Sequence, residues 1–200
     1  MVVETARRQA IEDAASALFH LHGYSGTSVR DIARAVDIQG ASLYAHVTSK
    51  QDVLWSIVEQ TAARFDAAAD AIDADAGAAP LDDDAHLTAL VRAHVRVVTD
   101  DVERASVFIH EWRALQGHRR EEIVRRRDAY EARFRSVIAD GIGAGAFQPV
   151  DPALATAYIL TALNGLVGWY RPNRRLSGPA IADAYAELSL RVVTAPLPQA

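Results

Sequence analysis

The nine residues Ser42–Lys50, SLYAHVTSK, set a serine, a phenol, an imidazole and the only lysine of a 200-residue chain side by side. All four donate hydrogen bonds and one carries a fixed positive charge, a combination suited to gripping the phosphate oxygens of a nucleic acid. Chemistry of another kind is poorly served, because no nucleophile stands beside a base that could activate it. Outside this stretch the positive charge comes from twenty arginines.

The flanking periodicity shows what would position these donors. Two i,i+4 rows, Ala10/Ala14/Leu18 and Ile11/Ala15/Phe19, predict an amphipathic helix over 5–21 that Gly23 can close with left-handed backbone. Ser28 with Asp31 forms a capping-box pattern for a second, short helix whose apolar face is Val29, Ile32, Ala33 and Val36. Asp37 and Ile38 make a tight turn, since aspartate tolerates left-handed backbone, and helix resumes over 39–47 with Leu43 and Val47 on one face. Ser49 and Asp52 repeat the capping signature ahead of a long stripe, Val53, Leu54, Ile57, Val58, Thr61, Ala62 and Phe65. Ala33 is small enough for a crossing helix, so the second and third helices have helix-turn-helix spacing. In that unit the second helix enters the major groove: Ser42, Tyr44, His46 and Lys50 line its wall, with Thr27, Ser28 and Arg30 on the flank. The alternative reading of the same spacing is an ordinary pair of crossing helices with Tyr44 in the core.

A net charge of −5 does not oppose DNA binding once the acid is located. Asp66–Asp84 holds seven aspartates and no base, so the remainder sums to +2, and steering depends on fields that decay within about 8–10 Å. That segment, with Gly77 and Pro80, reads as a solvated connection. Beyond it the spacing predicts helices over 85–99, 101–116 and 119–140, an eighth opened by Asp151–Pro152 and running to about Tyr170, and a ninth opened by Ser177 and Pro179. No strand pattern competes. With 50% hydrophobic residues a core is assured, and without cysteine there is neither a disulfide nor a thiolate metal site. No window nears membrane-spanning length, and the N-terminus reaches charge too early for a secretory signal, so a soluble cytoplasmic protein is expected.

The segment FHLHGYSGTSVRDIARAVDIQGASLYAHVTSKQDVLW resembles the N-terminal domain of the TetR family of bacterial transcriptional repressors. Phe19, Gly23, Tyr24, Thr27, Ile32, Ala33, Ser42, Leu43, Tyr44, His46, Ser49, Lys50 and Leu54 carry the match. The resemblance implies an all-α, nine-helix fold: a DNA-binding head over 1–50 and a ligand-binding, dimerising body over 51–200. It also implies a repressor released from a pseudopalindromic operator by a small ligand, with DNA-facing positions at Thr27, Ser28, Arg30, Gln39, Ser42, Tyr44, His46 and Lys50. Asp37 stands where the family usually has glycine, Gln39 where it has a capping serine, and Gly40 where a base is common. Gln39 can read adenine edges, Gly40 offers only backbone and close approach, and the third helix should start less firmly.

In the second half, EWRAL, RREEIVRRRDAYEARFR, GIGAGAF and WYRP resemble a TetR branch that responds to acyl-CoA thioesters and controls lipid or sterol breakdown. The implied ligand is an acyl-CoA, with Phe108, Trp112, Tyr130, Phe134, Tyr158 and Trp169 lining an apolar tunnel and Arg113, Arg120 and Arg127 holding phosphates. Glu121, Glu122, Asp128 and Glu131 lie among those arginines, and a solvated ion-paired face explains the run as well. Asn164, mid-helix among apolar residues, suits a pocket hydrogen bond. The eighth and ninth helices predict a homodimer through Ala155, Ala162, Gly165, Ile181, Tyr185, Leu188 and Val192. No cofactor and no metal are expected; His94, His110 and Glu111 could meet as a metal site but read as ordinary polar residues inside or beside the pocket, and the glycines 141, 143 and 145 as a helix end, since no strand precedes them. The rival function is an all-helical acyl-CoA carrier or enzyme that ignores DNA.

Overall fold

A computed structural model describes residues 2–78, 81–172 and 174–196, and every regular element among them is helical. In chain order they are α1 (Val2–Gly26), α2 (Val29–Ala35), α3 (Gly40–Leu43), α4 (Lys50–Ala78), α5 (Asp83–Asp100), α6 (Val102–His110), a 3-10 turn (Trp112–Ala114), α7 (Gly117–Ala144), α8 (Pro152–Asn164), α9 (Leu166–Trp169) and α10 (Gly178–Thr194). The expected eighth helix is two pieces. Gly165 caps α8 and starts the single turn of α9, so the helix does not run through to Tyr170.

Local chemistry sets most of the ends. Ser28 caps α2 through a complete capping box with Asp31, Asp151 accepts from the Ala153 and Leu154 amides ahead of Pro152, and Ser177 accepts from the Ala180 amide. Gly23 interrupts α1 with φ 73° and ψ 161°, a positive-φ kink, and Asp37 makes the helix-turn-helix bend at φ 53°. At the end of α7 the ring of Phe147 packs against Gly141 so closely that a Cβ there would lie 2.3 Å from it.

The acidic segment is not the solvated connection expected. Helix α4 continues through it to Ala78, and Pro80 lies outside the described residues. Alanine is the best helix former, and Asp66, Asp70 and Asp73 recur on the face of α4 that meets α7. There Arg126 pairs with Asp66 at 2.7 Å, and Arg133 spans Asp70 and Asp73.

The chain forms two compact units, Met1–Ala63 with Glu103–Val124, and Arg64–Val102 with Arg125–Ala200. In the first, Ile11, Ala15, Phe19, Ile32, Ala33, Leu43, Val47, Leu54 and Ile57 form the core. Arg104 of α6 is buried within it, donating to Asp13 at 2.8 Å and Gln60 at 3.2 Å, with Glu12 at 3.7 Å. In the second, Leu87, Leu90, Val91, Val95, Phe134, Ile138, Ile159, Leu163 and Val193 are buried. Here the membrane reading needs correction: Pro152–Trp169 is long and apolar enough to cross a bilayer by composition alone, at mean hydropathy 1.2. The break at Gly165 divides it, and its exposed side belongs to a face described below.

Candidate nucleic-acid interface

Helix α2 presents Ser28, Val29 and Arg30, and the start of α3 presents Gln39 and Gly40; with Tyr44 they line one open groove. The turn between the helices is closed by backbone bonds from Asp37 to Arg34 and from Ile38 to Ala33, 3.2 and 3.0 Å. Beneath it Ile32, Ala33, Leu43 and Val47 are buried, which turns the opposite faces outward. Ser42 is exposed and so is Tyr44, at 57%. Tyr44 is therefore not the core aromatic of the alternative reading.

Helix α3 is shorter than expected, four residues rather than 39–47. Gln39 provides no side-chain cap and Gly40 follows at the first helical position, so nothing reinforces the start. Residues 44–47 continue as tight turns, with Ala45 bonded to Ser42 and His46 to Leu43.

Two of the expected DNA contacts are already engaged. Lys50 Nζ donates to the Tyr24 and Thr27 carbonyls, both at 2.8 Å, and sits 4.0 Å from the Tyr24 ring centroid. It closes the exit of α1 instead of standing free for phosphate. Thr27 is buried, and its hydroxyl donates to the Gly23 carbonyl at 3.0 Å and the Leu18 carbonyl at 3.3 Å. Ser28 is exposed but its hydroxyl donates to Asp31 at 2.6 Å, and that bond with the Ser28 amide holds the Asp31 carboxyl below the usual carboxylate range. His46 is half-buried, while Arg30 and Gln39 are exposed. Val29 is the residue that periodicity missed: it counts toward the apolar stripe of α2, yet it is half-buried and lines the groove. Nothing in the residue type signals that.

The floor of the head is fixed by charge. Asp52, in the first turn of α4, accepts from Thr48 and from Arg119 of α7, both at 2.6 Å; these two bonds lower its pKa, the Thr48 bond most.

The expected ligand residues divide between the units. In the first, Phe108 is buried, Trp112 is half-buried with the Arg113 guanidinium 4.6 Å from its ring centroid, and Arg113 and Arg120 are exposed. In the second, Tyr130 and Phe134 surround His94 together with Phe65, at ring-centroid distances of 5.8, 6.5 and 4.8 Å. Tyr130 Oη lies 3.1 Å from His94 Nδ1, and Asn164 reaches the same imidazole. Arg127 is half-buried and its charge also acts on that ring. Burial, with Arg127 adding to it and Asn164 opposing, pushes the His94 pKa down to about 3, and burial pushes the Tyr130 phenol well above its usual value. His94 is thus a polar residue among the expected pocket aromatics, as its reading beside the pocket anticipated.

Tyr158 and Trp169, expected in the tunnel, are instead 65% and 51% exposed. They belong to an apolar face on α8, α9 and α10 with Leu154, Ala162, Gly165 and Leu188; Trp169 stacks on Tyr185 at 6.5 Å. Two expected interface residues, Ala155 and Ile181, point away from it into the unit's own core, and Val192 and Tyr185 are half-buried. Among the described residues no cluster of histidine and carboxylate side chains is placed to hold a metal.

Residues 80–193 match the family described as Tetracyclin repressor-like, C-terminal domain, and residues 11–57 that described as Bacterial regulatory proteins, tetR family. Over 199 residues the chain is 26% identical to the HTH-type transcriptional repressor KstR2 of Rhodococcus jostii strain RHA1, covering 96% of this chain and 94% of that protein. In fold it is similar to the ketosteroid transcriptional regulator KstR2 of Mycobacterium tuberculosis, with TM-score 0.86 at 24% identity over 95% and 96% of the two chains. It is also similar in fold to AibR in complex with isovaleryl coenzyme A and operator DNA, with TM-score 0.78 at 24% identity over 96% of this chain and 100% of that one. With the family match spanning more than half the sequence and the helix-turn-helix in place, the chain belongs to the TetR family of bacterial DNA-binding transcription regulators.

Proposed function

We propose that the chain is a homodimeric repressor that leaves a pseudopalindromic operator when its body takes up an apolar effector, an acyl-CoA thioester being the class favoured. The observation that carries the DNA reading is the groove of Ser28, Val29, Arg30, Gln39, Gly40 and Tyr44, open to solvent over a packed core. Exposed Arg30 and Tyr44 grip phosphate, Gln39 and Ser42 meet base edges, and Gly40 lets the backbone close in. Residues 1–50 make the DNA-binding part and 51–200 the ligand-binding and dimerising part. The relatives' description as repressors supports repression over activation, and regulation without catalysis. The site of action is the bacterial cytoplasm, where the DNA is.

For the effector, the aromatic cluster of Phe65, Tyr130 and Phe134 supplies an apolar environment, and Arg127 of the same unit is the cation offered to coenzyme A phosphates. Ligand and DNA affinities must then be reciprocally coupled. A gel shift on the DNA upstream of the chain's own gene tests the reading. Specific retardation, weakened by Tyr44→Ala for every sequence and altered in sequence preference by Gln39→Ala, is expected. Medium-chain and ring-bearing acyl-CoA esters are then added to release it. Absence of any retardation, with coenzyme A esters still bound, would leave the carrier reading instead.

A further inference from the structure

Within the second unit, the last turns of α5 and the first turn of α10 flank a cavity of about 360 Å³, lined by Arg92, Arg96 and Asp100 on one side, Gly178 and Asp183 on the other, and Tyr170. Glycine is what lets the two helices meet there: a Cβ at Gly178 would lie 2.8 Å from the Thr99 hydroxyl. The cavity is separate from the surfaces described above. Arg96 lies two positions from His94, about 200° around α5, so it faces away from the aromatic cluster. Asp183 lies five positions from Leu188, about 140° around α10, so the cavity also avoids the apolar face.

One cation of the cavity is left over. Asp183 is held by Arg92 at 2.8 Å and Asp100 by Arg64 at 3.7 Å, whereas Arg96 is exposed and has no ion pair among the described residues. Tyr170 is an independent sign of a ligand: only 7% of it is exposed, it lines the cavity, and its hydroxyl has no hydrogen-bond partner among the described residues. A buried hydroxyl without a partner is costly. The helix end adds a third donor. In the first turn of the 17-residue α10, Pro179 has no N–H and the Ala180 amide is taken by Ser177 Oγ at 3.3 Å, which leaves the Gly178 amide. Exposed Arg171, Arg174 and Arg175 lie between Tyr170 and Ser177, with no acid among residues 171–177.

We infer that this cavity binds a phosphate group, with the Arg96 guanidinium, the Tyr170 hydroxyl and the Gly178 amide donating to its oxygens. Three donors from three segments suit a tetrahedral anion better than a planar carboxylate with two oxygens, and the positive end of α10 favours its charge. Free phosphate and the phosphate of a small polar molecule share this chemistry. The probes separate them: inorganic phosphate, ribose 5-phosphate, and ribose as the reference without the anion.

Binding to the full chain is measured by titration calorimetry at fixed ionic strength. Expected is saturable binding of one or both phosphate probes, with ribose weaker by roughly tenfold or more. The tighter of the two names the source of the phosphate. Arg96→Gln should weaken phosphate binding roughly tenfold or more, and Tyr170→Phe, which keeps the ring and drops the hydroxyl, about three- to tenfold. Arg135→Gln removes the same charge from an exposed arginine elsewhere in the unit and should bind as the wild type does. Binding of neither phosphate probe, equal affinity for ribose, wild-type affinity in Arg96→Gln or Tyr170→Phe, or an equal loss in Arg135→Gln overturns the inference. Because Arg96 is exposed, its replacement decides the matter even where Tyr170→Phe fails to fold. The readout contains no DNA, so a failed operator gel shift refutes the regulator reading and leaves this site standing.

Discussion

Lys50 shows how one side chain's role changes when its neighbours are known. From its type and position it suits phosphate, but its ammonium satisfies the Tyr24 and Thr27 carbonyls at the kinked exit of α1 and lies over the Tyr24 ring. Replacing it with methionine keeps the stem and removes the charge, leaving two carbonyls unpaired at a cost of about 1–3 kcal/mol. Urea unfolding should report that loss in the isolated protein, before any DNA is added; unchanged stability with weaker, less salt-dependent DNA binding would restore the phosphate role. His94 makes a second prediction at this scale. Its pKa is about 6.5 unfolded and about 3 folded, so the folded state refuses a proton that the unfolded state accepts. The sign is therefore fixed: the stabilisation is complete above about pH 6.5 and is lost as pH falls toward 3, at about 1.4 kcal/mol per unit. Between pH 6 and pH 4.5 the wild type should lose stability faster than His94→Phe, the carboxylate contribution cancelling between them. Parallel curves would mean that the ring is not held neutral.

Elements were legible where their signals are local. Capping residues Ser28, Asp151 and Ser177 and the left-handed Asp37 are found where the sequence places them, because a cap or a turn depends on a few neighbouring atoms. Misread elements depended on distant partners. The aspartates of 66–73 look like a solvated tether until α7 brings Arg126 and Arg133 to them, and part of the arginine-rich run is thereby explained as ion pairing, not ligand binding. Arg104, Thr27 and His94 are likewise assigned by burial, which no spacing rule reports. The α4–α7 pairing can be measured: Arg126 and Asp66 are only 21% and 30% exposed, so a double-mutant cycle with alanine at both should yield a coupling of about 0.5–1.5 kcal/mol. A coupling near zero would return the acidic stretch to the role of solvated surface.

At the scale of the whole molecule, α8, α9 and α10 carry Leu154 at 71%, Tyr158 at 65%, Leu188 at 56% and Trp169 at 51% exposure. Exposed alanines, threonine and glycines lie between them, at Ala157, Thr161, Ala162, Gly165 and Gly168. On α8 these positions recur at helical spacing, so they form one stripe, with small residues low enough for a second helix to sit against it. Such a stripe is self-complementary under a two-fold axis, and two-fold pairing is the arrangement that sets two recognition helices about 34–36 Å apart on successive turns of DNA. Dimerisation and operator affinity should therefore fail together. Tyr158→Asp combined with Leu188→Asp places two unpaired charges on each side of the interface while touching no core residue, and should weaken self-association roughly a hundredfold or more. Sedimentation equilibrium is expected to give monomers with wild-type helical content, and the same variant should lose specific operator retardation although Arg30, Gln39 and Tyr44 are intact. A monomer that still binds the full operator at wild-type strength would separate the two properties, and would require each head to read its half-site alone.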